Sequence, residues 1–118
     1  MTQHAGLSPD RWRRFDRGQQ VLMIANEMHR ATRFCSAAGS AHLGRAYERV
    51  LQLVDITVDS AISNGLRREL LRWRDLVADR WLTGSTDPES HRDVLRGLLQ
   101  LHPVAYAQLA AGLLRPGR

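Results

Sequence analysis

The chain has 118 residues, enough for one domain with its own core and too few for two ordinary ones. It is 43% hydrophobic and 25% charged, a globular balance that excludes a wholly disordered tail protein. Seventeen basic residues against twelve acidic ones give a formal charge of +5, every basic residue is arginine, and the single cysteine, Cys35, excludes an internal disulfide or a cysteine-built zinc cage.

Almost every segment carries a helical period and none alternates, which predicts an all-α protein. Ser8-Pro9-Asp10 is a helix start, with a capping hydroxyl, proline at the first position and an acid at the positive dipole end. Trp12 and Phe15 point one way, whereas Val21, Ile24, Ala25, Met28 and Cys35 form a stripe on another side. The phase change predicts a short helix over 9–17 hinged at Gly18, then a main helix from Gln19 to Ala38 stopped at Gly39. Ser40 is the expected cap of the next helix. There Leu43, Tyr47, Val50, Val54, Val58 and Ala61 share one face, and Asn64-Gly65 is its expected end. A further helix over 66–82 places Leu66, Leu70, Trp73, Val77 and Trp81 on one stripe, closed by Gly84. Asp87-Pro88 starts another helix, with Val94, Leu95, Leu98 and Leu101 inward, until Pro103 breaks it. A last short helix is expected from Val104 to Leu114. Long helices joined by short loops pack antiparallel to their neighbours. The expectation is one compact antiparallel bundle of four to five helices over 1–118, with flexible ends at 1–8 and 115–118. No second copy of any segment suggests a repeat array.

The absence of lysine has two explanations, a GC-rich genome or selection for planar forks that grip phosphate in pairs of hydrogen bonds. Placement discriminates between them. Arg13, Arg14 and Arg17 share one side of the short first helix, within about 100° of each other. Arg67 and Arg68 occupy the first turn of a helix, where the dipole disfavours cations by about 0.3–1 kcal/mol each. Arg72 and Arg74 continue that ridge, and these seven arginines are the candidate phosphate contacts. Arg67 and Arg74 lie between the stripes Leu70/Trp73/Val77 and Leu71/Ala78/Leu82, so they need a carboxylate or an external anion. Glu48, Gln52, Asp55 and Asp59 form a polar line that either meets Arg30, Arg33 or Arg74 of the same molecule or docks on the arginines of another copy. Glu48, Asp55 and Asp59 are therefore the candidate subunit contacts.

Catalytic signatures are sparse in the chain. No Glu-x-x-His pair exists for a di-iron bundle, the histidines show no metal pair, and there is no glycine-rich phosphate loop. Neither cofactor nor metal is expected. No segment reaches the roughly 18 apolar residues of a membrane span, and the polar start Met1-Thr2-Gln3-His4 lacks a signal-peptide core. A cytoplasmic protein without membrane contact is the expectation. Arg96 and His102 make an Arg-x5-His spacing similar to the motif of HEPN ribonucleases, which are also small helical bundles. By that resemblance Arg96 would hold the scissile phosphate and His102 would assist attack by the 2′-hydroxyl, although Gly97 stands where that family often has a polar residue.

In size, cysteine poverty, arginine bias and helical reading, the chain resembles the small subunits of CRISPR ribonucleoprotein effectors. That resemblance implies a non-catalytic bundle that stacks with copies of itself beside larger RNA-binding subunits. Its arginines would line the path of RNA or single-stranded DNA without reading bases. The other reading is a homodimeric adaptor that buries Trp12, Phe15 or Trp81 and never touches nucleic acid.

Overall fold

The computed structural model describes residues 8–60 and 63–102. Among them the chain forms α1 (Pro9–Arg13), α2 (Arg17–Ala31), a 3-10 turn (Thr32–Phe34), α3 (Ser40–Asp59), α4 (Asn64–Thr83) and α5 (Pro88–Leu99). α2 packs on α3 and α5, α4 packs on the same two helices, and α1 lies against α3. The expected all-α bundle is what forms. The expected helix over 104–114 and its break at Pro103 lie outside the described residues, as does Ala61.

Ser40, expected as the cap, is instead the first residue of α3, behind Gly39 at the N-cap position and with no side-chain capping bond. Three further boundaries differ from the sequence expectation. The first break falls before Gly18. α1 stops at Arg13, and Asp16 opens α2 through a capping box in which its carboxylate accepts from the Gln19 amide (2.8 Å) and Gln19 Oε1 accepts from the Asp16 amide (2.9 Å). Two satisfied backbone donors make Asp16 the better start than a glycine. Second, α2 ends at Ala31 and tightens into the 3-10 turn instead of running to Ala38. Gly39 then sits against that turn, since a Cβ there would lie 2.5 Å from the Phe34 carbonyl oxygen. Cys35 thereby leaves the α2 stripe and is only half-buried. Third, Asn64-Gly65 opens α4 rather than closing α3. The Ser63 hydroxyl accepts from the Leu66 amide (3.2 Å), while α3 has already ended at Asp59. Gly84 stops α4 in the left-handed region at φ 70°, and the Asp87 carboxylate caps α5 ahead of Pro88, both as the sequence predicts.

The core joins Val21, Ile24 and Met28 of α2, Leu43, Tyr47, Val50 and Val54 of α3, Leu70, Trp73 and Val77 of α4, and Leu95 and Leu98 of α5. α1 is not a free arm. Trp12 is fully buried, and its indole N–H donates to the Thr57 hydroxyl at 2.7 Å, while its carbonyl accepts from Gln20 Nε2 at 2.9 Å. Phe15, expected beside it on a docking face, meets the Trp12 ring edge-on but stays at the surface.

Candidate nucleic-acid interface

The two predicted arginine sets meet at one end of the bundle. Arg17, first residue of α2, donates to Gln20 Oε1 (2.5 Å) and to the Ser60 hydroxyl (3.4 Å). Arg67, in the first turn of α4, donates from Nη2 to the Ser60 carbonyl (3.4 Å). Ser60 is the C-cap of α3, where unpaired carbonyls and the negative dipole end favour cations. That local field explains why arginine is tolerated in the opening turn of α4, since the end of α3 offsets the dipole of α4. The Arg67 Nε is nevertheless buried and has no hydrogen-bond partner among the described residues. Arg14 and Arg68 are exposed, and neither has a side-chain partner among those residues.

The remaining predicted arginines are held by acids. Arg13 pairs with Asp10 (2.9 Å) and Arg72 with Glu69 (3.0 Å), both along one helix turn and exposed. Such pairs contribute about 0.5 kcal/mol or less, so an external phosphate exchanges for them at little cost. Arg74 is committed more firmly. Its Nε and Nη2 donate to the two Asp55 oxygens at 2.7 and 3.2 Å, and this bond holds the Arg74 proton above its already high ordinary pKa. Asp55 thus finds its arginine within its own molecule. Glu48 accepts from the Trp81 indole (3.3 Å), and Asp59 has no side-chain partner among the described residues. Arg30 goes to Glu27 (3.4 Å) and Arg33 lies over the Phe34 ring, so neither meets the acidic line of α3.

At the opposite end the structure contains a polar cluster that sequence reasoning missed. Trp81, expected on the core stripe, is exposed; Arg80 is inside, at 6% exposure. Its Nε donates to the Tyr47 hydroxyl (2.7 Å), Nη1 to the Ser90 hydroxyl, and Nη2 to the carbonyls of Asp87 (3.0 Å) and Ser85 (3.5 Å). No carboxylate touches it among the described residues. Tyr47 in turn meets His91 Nδ1 (2.6 Å), and His91 Nε2 meets the Met28 carbonyl (2.8 Å). A carbonyl only accepts, so Nε2 carries the proton and Nδ1 accepts from the Tyr47 O–H. Burial pushes the His91 pKa below its ordinary value, against the pull of the Met28 carbonyl, and the Arg80 charge lowers it further. Burial pushes the Tyr47 phenol up, with the Arg80 hydrogen bond opposing. Beside this cluster lies a cavity of about 110 Å³ lined by Ser40, Tyr47, Arg80, Trp81 and Thr86 among others.

Arg96 pairs with Asp93 on its own helix (3.0 Å), whereas the His102 ring rests on Gly18, where a Cβ would come within 2.8 Å of it. Burial raises the Cys35 thiol above its ordinary pKa, with Arg80 and Arg92 opposing, which disfavours the reactive thiolate. No group of three His, Cys, Asp or Glu side chains among the described residues is placed to hold a metal, and no described helix is long and apolar enough to cross a membrane. Fold and site together define a small α-helical bundle with one cationic end and one buried polar end. Compared with protein-family models, curated proteins and solved structures, the chain matches none of them.

Proposed function

We propose that the protein is a non-catalytic helical subunit of a nucleic-acid-containing assembly, holding phosphate backbone at its cationic end without reading sequence. The observation that carries this reading is the set Arg14, Arg67 and Arg68. Two of these are exposed guanidiniums with no partner among the described residues, and the third has a buried, unsatisfied Nε. Arg17 adds charge beside them, and Arg13 and Arg72 are available through weak exposed pairs. A phosphate oxygen is the acceptor that guanidinium geometry suits best, and it would reach the exposed Arg14 and Arg68 without displacing any partner among the described residues.

A charge of +5 is modest for a free nucleic-acid-binding protein. It suits a subunit whose larger RNA-binding partners supply most of the affinity, as the resemblance to CRISPR small subunits implies. In that setting guide pairing carries sequence recognition, and this chain contributes counterion release and position. The test is binding of labelled single-stranded RNA and DNA by the wild type and by R14Q/R68Q across a salt series. Both substituted residues are exposed, so helicity is unchanged. The expected result is weaker binding and a log–log salt slope shallower by about 1–2. Equal binding by both proteins at every salt concentration, or none by the wild type, overturns the reading.

A further inference from the structure

Among the described residues five large apolar side chains are exposed, and four of them, Leu71, Leu76, Trp81 and Leu82, belong to α4. At 100° per residue, Leu71, Asp75, Ala78 and Leu82 fall within about 60° of each other; Leu71, Asp75 and Leu82 are exposed, and Ala78 at the edge of the stripe is partly buried against the core. Their spacing of four, three and four is that of a helix–helix seam. Leu71 is 41% exposed and Leu82 75% exposed, and no described element covers them.

The charges beside this seam select the occupant. Arg72 lies on one flank in the first half of α4, and Asp79 lies on the same flank in the second half. The carboxylates of Asp75 and Asp79 have no partner among the described residues, and Arg72 has only its exposed Glu69. A helix that is basic in its first half and acidic in its second is complementary to itself when antiparallel. In a parallel pairing Arg72 would instead lie beside the partner's Arg67, a like-charge contact.

We propose that a second copy of this chain docks on the outer face of α4, antiparallel and about a two-fold axis. Leu71 then packs on the partner's Leu82 and Arg72 pairs with the partner's Asp79, each contact occurring twice. Asp75 faces the partner's Ala78 near the axis, a polar residue at a seam position of the kind that sets register while weakening association. This contact is isologous and closes at two copies. It shares Arg72 with the nucleic-acid reading but rests on separate observations, the exposed Leu71 and Leu82 and the charge pattern of α4, and it is tested without nucleic acid.

The test is sedimentation of the full chain, freed of nucleic acid, over a concentration series. The wild type is expected to reach the mass of a dimer and stop there. L82E, which alters an exposed residue and so leaves the fold intact, should raise the dissociation constant at least about tenfold, because each carboxylate is desolvated without a partner. D75L should lower it. R72D and D79R should each weaken the dimer, and an equimolar mixture of the two should restore it as a heterodimer, because one pair is then native and the other swapped, and both are again opposite in charge. A wild type that is monomeric throughout, or that dimerises unaffected by L82E and D75L, overturns the proposal. Failure of the mixture to recover overturns the antiparallel register.

Discussion

The two ends of the bundle use the same side chain in opposite ways. At one end Arg80 is buried and directs its donors to Tyr47, Ser90 and the carbonyls of Ser85 and Asp87, so a single guanidinium organises the loop between α4 and α5. At the other end Arg14 and Arg68 are exposed and have no side-chain partner among the described residues. A buried guanidinium surrounded by neutral acceptors is part of the fold, because removing it leaves buried acceptors short of a donor. An exposed one contributes little to folding and remains free to act on another molecule. Arginine count alone therefore says nothing about which arginines bind.

Substituting the two ends gives the clearest separation. R80M keeps the aliphatic stem of the side chain but removes the donors to the Tyr47 phenol, the Ser90 hydroxyl and the Ser85 carbonyl, while the Asp87 carbonyl keeps the His91 amide and the Ser90 hydroxyl. We expect a loss of about 3 kcal/mol, read by urea unfolding, which places it among the large single-site effects. A loss below about 1 kcal/mol would mean that water replaces Arg80 freely and that the contrast between the ends is false.

The next effect is a pH dependence confined to the buried end. The folded pKa of His91 lies below its unfolded value of about 6.5, so between the two the unfolded chain binds more protons. Stability from this group is complete above about pH 6.5 and falls as pH drops below it, levelling off beneath the folded pKa. Protonation also turns Nδ1 into a donor facing the Tyr47 hydroxyl. Unfolding of the wild type should therefore weaken through this window more than that of H91Q; equal slopes would remove His91 from the account. The smallest effect belongs to the cationic end. R14Q/R68Q should change stability by no more than about 0.5 kcal/mol, and a larger loss would show that these side chains serve the fold.

Much of the fold was legible in the sequence because periodicity and caps are local. Ser8, Gly84 and Asp87-Pro88 mark helix ends by the backbone groups they satisfy or the φ they permit, and Leu70, Trp73 and Val77 mark a buried stripe by spacing alone. The site was less legible. From Val77 the stripe continues equally well to residue 80 or 81, and hydropathy favours Trp81. The structure puts Arg80 inside, where the Tyr47 and Ser90 hydroxyls and the Ser85 and Asp87 carbonyls accept from it, a set of acceptors that comes together only once the loop is folded. Asp55 could have served another copy or Arg74, and only the packing of α3 on α4 brings the two within 2.7 Å.

The sequence by itself determined the helices, their number over 8–102, most of their buried faces and the positive charge, since these follow from near-neighbour spacing and composition. Tertiary structure alone decided which arginine is interior, that Trp12 fastens α1 to α3, that the two arginine sets share Ser60, and that Leu71 and Leu82 on the outer face of α4 are covered by no described element. Each of those depends on pairing groups far apart in the chain, and a charged side chain takes its role from the acceptors that folding brings within hydrogen-bond distance.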